Sequence, residues 1–169
     1  MKVSTSFQEY SVDDIVNAAR KSEERGYDIF FSSETGHNPY LPLVLAAEHT
    51  EEIELQTSIA LSFSRSPMDT AYIAWDLQNL SKGRFTLGLG SQVRGHIVRR
   101  FSMPWSAPVP RMREYVMALK HIWDCWQNGT KLNFAGDYYS FNLMSPFFNP
   151  GPIEHPDVKV SIAGVNPNM

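Results

Sequence analysis

KGRFTLGLGSQVRGHIVRR, residues 82–100, decides how the rest of the chain is read. Lys82-Gly83 is a turn signal, Phe85 to Leu89 is an apolar run of strand length, and Gly88 and Gly90 fall where that strand ends. A polar and basic turn follows and leads into a helical pattern. Glycine at a strand end marks a place where another group comes close to the backbone. In sheets built from alternating strands and helices, ligands collect at that end because the loops converge there. The segment therefore predicts a cofactor or substrate site at the carboxyl end of a parallel sheet.

The flanking sequence supplies the alternation. Lys2 to Phe7 reads as a short strand, and Ser11 with Asp13 and Asp14 caps and charges the start of a helix whose Val12, Ile15, Val16 and Ala19 share one face. Gly26 supplies a left-handed stop, and Tyr27 to Ser32 is a compact apolar run that predicts a strand buried on both faces. A helix over Leu41–His49, a strand over Ile53–Leu61 and a helix opening at Ser66-Pro67 continue the pattern, with Gly83 just past that helix. From Val109 to Trp126 the positions Met112, Tyr115, Val116, Leu119, Ile122, Trp123 and Trp126 trace one helix face. Residues 131–142 carry Gly136-Asp137 between alternating aromatic and polar residues and predict a small hairpin or an extended excursion, after which 158–163 form another buried strand. Five strands alternating with at least four helices define an α/β architecture with a parallel sheet. A closed (β/α)8 TIM barrel takes about 250 residues, so 169 residues suffice for roughly the first five parallel strands with their helices, or for an open sheet.

Composition narrows the partners. A chain of this length can bury roughly 70% of its unfolded surface, enough for one core, so residues 1–169 are expected to be a single domain. Fifteen basic against eighteen acidic side chains give a net charge of −3 without long runs of one sign, which excludes a nucleic-acid footprint and favours a small molecule. Apolar runs such as Leu43 to Ala47 are far shorter than the roughly 18 residues of a membrane span, and the first residues lack a secretory apolar region, so a cytoplasmic location is expected. The lone Cys125 sits between two tryptophans and reads as core. His49 and His121 lie on helices and His155 between prolines, without the spacing of a metal site, so no metal is expected. The third glycine of a G-x-G-x-x-G fingerprint would fall at Val93, and no G-x-S-x-G elbow occurs.

His37 lies just beyond the second strand, in Glu34-Thr35-Gly36-His37-Asn38-Pro39, on the loop side of the sheet. An imidazole there can exchange a proton with a ligand near neutral pH. On spacing alone it reads as a loop histidine bonded to nearby backbone. Glu34 is either a proton donor, an orienting partner for His37, or a solvated carboxylate.

Four segments carry a family resemblance: SSETGHNPYLPLVLAAEHT (32–50), LQTSIALSFSRSPMDTAYIAWDLQNLSKGRFTLGLGSQVRGHIVRRFSMPW (55–105), RMREYVMALKHIWDCW (111–126) and VSIAGVNPNM (160–169). In that order they resemble the N-terminal half of the luciferase-like monooxygenase family, specifically its deazaflavin-dependent oxidoreductase branch. The resemblance implies a (β/α)8 barrel of about twice this length, truncated here at the C-terminus. It implies an oxidoreductase or monooxygenase that binds a flavin-type coenzyme, deazaflavin coenzyme F-420 by preference or FMN, and acts on a small organic substrate. It places His37 at the coenzyme ring as a catalytic group and a non-proline cis peptide between Ser58 and Ile59 as a backstop for the ring. Without the resemblance, Ser58 belongs to an ordinary strand and points inward. Gly88, Gly90, Ser91 and Gln92 would form a pocket wall with bare backbone open to the ring. Several family members carry an acid where Gln92 stands, and glutamine cannot titrate. Ala163, Gly164 and Asn166 would meet the coenzyme near its ribityl-phosphate side. Arg94, Arg99 and Arg100 sit beside the mouth of the strand and could meet phosphates or a charged tail, although a solvated helix start accounts for at least two of them. The alternative is a catalytically incomplete half-barrel that serves as a binding or assembly module. Its two unpaired sheet edges would favour association with another chain, including a homo-oligomer.

Overall fold

The computed structural model describes residues 1–164. Its main sheet is wholly parallel. β1 (Ser4–Thr5) pairs with β2 (Ile29–Ser32), and β2 pairs with β3 (Glu54–Thr57). Both β3 and β4 (Ala60–Leu61) lie on the same edge of β5 (Phe85–Gly90), whose other edge carries β8 (Lys159–Ile162). β3 and β4 are therefore two halves of one interrupted strand, and the sheet runs in chain order as the first five staves of a barrel. Between them lie α1 (Val12–Glu24), α2 (Leu41–His49), α3 (Pro67–Leu80), the short α4 (Arg94–Arg99) and α5 (Pro108–Asn128). β6 (Phe134–Ala135) and β7 (Ser140–Phe141) form the predicted hairpin, closed by Gly136 N–H donating to the Tyr139 carbonyl at 2.9 Å.

The local reasons match the sequence patterns. Ser11 caps α1 by accepting from Asp14 N–H at 3.2 Å, and Ser66 caps α3 with Pro67 in the first turn. Gly26 and Gly83 take positive φ, 74° and 86°, just beyond α1 and α3, where a side chain would strain the backbone. In α1, Ile15 and Ala19 are buried, while Val12, the first helical residue, stays exposed. The pattern predicts one strand over Ile53–Leu61, and the resemblance places a bulge at Ser58-Ile59; the strand breaks there, for the reason given below.

The apolar run at 27–32 predicts a strand buried on both faces, but β2 and β3 are buried on one face, whereas β4 and residues 87–90 of β5 are buried throughout. Phe30, Ser32, Leu55, Thr57, Phe85, Leu87 and Leu89 are buried against the helices, whereas Ile29, Phe31, Gln56 and Thr86 on the other face are only partly covered. That second face is polar at its centre, where the Gln56 amide donates to Ser161 Oγ at 3.4 Å. The helix side forms the core, with Trp75, Tyr115 and Trp126 its largest buried side chains and Cys125 among them. At the amino end of the sheet, Arg84 donates five hydrogen bonds, to the carbonyls of Ser81, Ala47, Thr50 and Ile53 and to the Thr50 hydroxyl. Beside it, Glu23 accepts the backbone N–H groups of Glu51, Glu52 and Ile53. No helix among the described residues is long and apolar enough to cross a membrane.

Candidate functional site

The site is built around a bulge. Gln56 pairs with Thr86 and Ala60 with Leu89, so residues 57–59 oppose only 87 and 88. One extra residue must be accommodated, and the ladder opens there. Thr57 fills the opening with its hydroxyl, which donates to the Gly88 carbonyl and accepts from Gly88 N–H, both at 2.8 Å. The Ser58-Ile59 peptide is cis, at the position the resemblance assigns. Ser58 does not point inward; it is exposed, and Ile59 is half-buried.

This bulge explains the glycines of the opening motif. A Cβ on Gly88 would land on the Thr57 carbonyl oxygen, and one on Gly90 would lie 2.7 Å from Ile59 Cδ1 and 2.9 Å from Cγ1. The space that the sequence leaves bare for a ligand is taken by the bulge and by the Ile59 side chain, which lies across Gly90. The Gly90 carbonyl accepts from both the Ser62 N–H and its hydroxyl, at 2.9 and 3.0 Å.

The loop after β2 ties down the bulge. Ser58 N–H donates to the Ser32 carbonyl, Ser33 Oγ donates to the Ser58 carbonyl at 2.7 Å, and Glu34 N–H donates to the Ile59 carbonyl. The Glu34 carboxylate accepts Leu61 N–H at 2.7 Å and receives both guanidinium arms of Arg65, at 2.7 and 2.9 Å. This forked pair is mostly buried, with side-chain exposures of 7% for Glu34 and 17% for Arg65. A carboxylate so engaged has its oxygens committed to fixing backbone. Glu34 sits beside the site as an anchor, and the geometry gives it no free oxygen aimed at a ligand.

His37 is exposed on the same loop. The loop's hydrogen bonds run through Asn38, whose side-chain oxygen accepts Tyr40 N–H at 2.9 Å, and none runs through the imidazole among the described residues. The ring stacks on Tyr10, with centroids 3.9 Å apart and planes 15° from parallel. Ser6, Phe7, Gln8, Tyr10, Ser33, Thr35 and His37 line a cleft of about 290 Å³. Ser33 links that cleft to the bulge, so His37, Ser58, Ile59 and Gly90 share one rim at the carboxyl ends of the strands.

Below the loop, Tyr40 is buried, and its hydroxyl has no partner among the described residues. The Arg65 guanidinium lies 5.5 Å from its ring centre. Thr70 is engaged with the Tyr115 hydroxyl at 2.5 Å. Burial pushes both phenols well above their ordinary range, the neighbouring Arg65 charge opposing, so both stay protonated.

The remaining predicted residues are more dispersed. Gln92 adopts φ 59° and turns its side-chain oxygen back to accept Val93 N–H at 2.9 Å, while Ser91 Oγ donates to the Gln92 carbonyl. Ala163 N–H donates to the Leu89 carbonyl, and Gly164 follows at the end of the fifth stave. Asn166 lies outside the described residues. Arg99 folds back over Gly95 and Arg100 packs on the Phe101 ring at 4.5 Å. Sequence reading missed Tyr10, Ser33 and Arg65. Ser33 adjoins Glu34 and was within reach of a reader. Tyr10 and Arg65 meet the loop only through the fold, across 27 and 31 residues.

This rim, on five parallel staves in chain order, defines the class. Residues 2–169 match the family described as luciferase-like monooxygenase, and the chain belongs to that family. It is 52% identical over 153 residues to an uncharacterized protein of Mycobacterium tuberculosis, covering 90% of this chain and 45% of that protein. The chain thus spans about half the length of the curated relatives it matches. Two solved structures share the fold. The coenzyme F-420-dependent tetrahydromethanopterin reductase from Methanopyrus kandleri superposes with a TM-score of 0.76 at 17% identity, covering 100% of this chain and 51% of that one. The oxygenating constituent of 3,6-diketocamphane monooxygenase from Pseudomonas putida, a Baeyer-Villiger enzyme in complex with FMN, does so with a TM-score of 0.77 at 17% identity, covering 97% and 51%.

Proposed function

We propose that this chain forms the part of a flavin-type oxidoreductase that receives the coenzyme ring, with deazaflavin coenzyme F-420 preferred and FMN the alternative. The observation that carries the reading is the hydrogen-bonded link from the His37 loop through Ser33 to the Ser58-Ile59 bulge. It brings an imidazole whose nitrogens have no partner among the described residues to the same rim as a projecting apolar platform. The donor set fits such a ring: the cleft presents hydroxyls, an amide and an imidazole, with no carboxylate among its lining residues. When bound, the ring supplies hydride transfer to or from an organic substrate.

The chain's residues divide the remaining work. His37 holds or moves a proton at a ring nitrogen facing the cleft. Ile59, lying across Gly90, presents an apolar surface for a flat ring, and Ser58 sits beside it. Glu34 and Arg65 fix the bulge from beneath as positioning residues. Gly88 and Gly90 contribute by admitting the bulge, while Ser91, Gln92, Ala163 and Gly164 complete the wall.

Titration of oxidised F-420 and oxidised FMN into the 169-residue chain, followed by ring fluorescence, tests this. Saturable binding of one of them, weakened about fivefold in His37→Ala as expected for one hydrogen bond of about 1 kcal/mol, supports the reading. Saturable binding of neither overturns it.

A further inference from the structure

The family reading leaves the loop between β1 and α1 without a part to play, yet that loop is the one that touches His37. The Tyr10 ring covers one face of the imidazole at 3.9 Å, and its hydroxyl donates to the carbonyl of Asn38, the next residue along the histidine's own loop, at 3.2 Å. Tyr10 in turn meets the edge of Phe7 at 6.0 Å, and Phe7 leans on the buried Phe30 of β2 at 6.3 Å. A line of aromatic rings thus runs from the core to an exposed imidazole.

The loop that presents Tyr10 is itself fixed. The Asp14 carboxylate accepts the backbone N–H groups of Gln8 and Glu9 at 3.0 and 2.7 Å, and Ser11 N–H donates to the Glu9 carbonyl. The segment Thr35–Asn38, in contrast, has no regular structure and is exposed. A side chain on such a loop samples several rotamers unless something holds it. The stack fixes the imidazole plane, and the hydroxyl contact fixes the backbone beside it.

We infer that Tyr10 is a positioning residue that holds the His37 ring in the orientation used at the cleft. The inference rests on the proposed function for its purpose, though the stack itself does not. An aromatic pair of this geometry is worth a factor of about three to ten in the population of one arrangement. A ligand that needs His37 in that arrangement loses the same factor when the stack is removed.

The test uses the full chain, unlabelled for titration and 13C-labelled for NMR, with Tyr10→Phe, Tyr10→Leu and, to assign the resonance, His37→Gln. Tyr10 is partly exposed, so these variants leave the core intact. In wild type the His37 imidazole C–H protons are expected upfield, in the ring current of the phenol. Tyr10→Leu moves them downfield and weakens binding of whichever coenzyme the wild type takes by about three- to tenfold. Tyr10→Phe keeps the stack and restores most of both readouts. Resonances unmoved in Tyr10→Leu, or moved with coenzyme affinity unchanged, overturn the inference alone. Failure of the wild type to bind either coenzyme while the resonances still move overturns the functional reading, and Tyr10's role in it, but leaves the stack established.

Discussion

Substituting alanine at Gly88 and Gly90 separates two reasons for having glycine at the end of β5. If the glycines keep backbone bare for a ligand, Gly90→Ala folds normally and loses only coenzyme binding. If they make room for the bulge, stability falls first. At Gly90 the new methyl would sit 2.7 Å from Ile59 Cδ1 and 2.9 Å from Cγ1, nearly 1 Å inside the roughly 3.5–4.0 Å of a comfortable carbon contact. Ile59 is half-buried and its side chain can swing, so the cost is about 1–2 kcal/mol. At Gly88 the methyl would meet the Thr57 carbonyl oxygen, which belongs to backbone and cannot turn aside. Relief requires opening the Thr57–Gly88 pair and its two hydrogen bonds, so overpacking of about 1–3 kcal/mol adds to about 1 kcal/mol for each bond lost. Gly88→Ala is therefore expected to cost about 3–5 kcal/mol. Urea unfolding followed by the fluorescence of the four tryptophans measures both through the midpoint at constant slope. The decisive comparison is the cycle with Ile59→Ala: trimming Ile59 should recover about 1 kcal/mol of the Gly90→Ala loss. A Gly88→Ala protein within about 0.5 kcal/mol of wild type, or strict additivity in the cycle, would refute the argument.

Two further predictions concern the amino end of the sheet. Burial alone would raise the Glu23 carboxyl, but three backbone N–H groups and the nearby Arg84 charge outweigh it and lower its pKa below 4.5. A carboxyl lowered by folding contributes stability above its unfolded pKa and loses it as pH falls through the folded value. Glu23→Ala should therefore cost about 1–2 kcal/mol near pH 7, discounted for its partial exposure, and the gap to wild type should close in urea titrations repeated below about pH 4. Arg84→Lys retains the charge but offers a point in place of a fork. With five directed hydrogen bonds at stake, the expected loss is about 2–4 kcal/mol, read from the same unfolding curves without change in coenzyme binding.

Much of the fold was legible because each element carries its own punctuation. Helix α2 falls at the predicted Leu41–His49, and α3 begins at Pro67 behind a serine cap. These are local signals, and local signals survive in sequence. The burial of β2 departs from its sequence pattern for a physical reason: Ile29-Phe30-Phe31 is an apolar run, yet only Phe30 and Ser32 face the helices, while Ile29 and Phe31 line the inner face of a sheet that the described residues leave partly open. An apolar run reports what a strand can bury and not what its surroundings cover. The break at Ser58-Ile59 was legible only through family resemblance, since Ile53 to Leu61 has no glycine or proline to announce it. Its signal lies on the partner strand, in glycines whose missing Cβ atoms the bulge requires.

The same reasoning separates Glu34 from His37, two residues that sequence places three apart on one loop and treats as a pair. Glu34 is engaged by Leu61 N–H and by both arms of Arg65, and no chain-local pattern links it to an arginine 31 residues away. Removing a proton acceptor from that network would leave Arg65 mostly buried without its counter-charge, which is costly wherever it occurs. A group whose charge is needed continuously by its neighbours is poorly placed to give up or take a proton. His37 has the opposite surroundings: an exposed ring, one face against Tyr10, and nitrogens that the loop does not use. The comparison at the amino end sharpens the point, because Glu23 and Arg84 there commit their polar atoms almost wholly to backbone, much as Glu34 and Arg65 commit theirs to each other and to the bulge here. What distinguishes the carboxyl rim is therefore the presence of an uncommitted imidazole above a fully committed anchor. On the proposed function, that pairing of a fixed anchor with an uncommitted imidazole is the arrangement that would serve proton transfer at a bound ring.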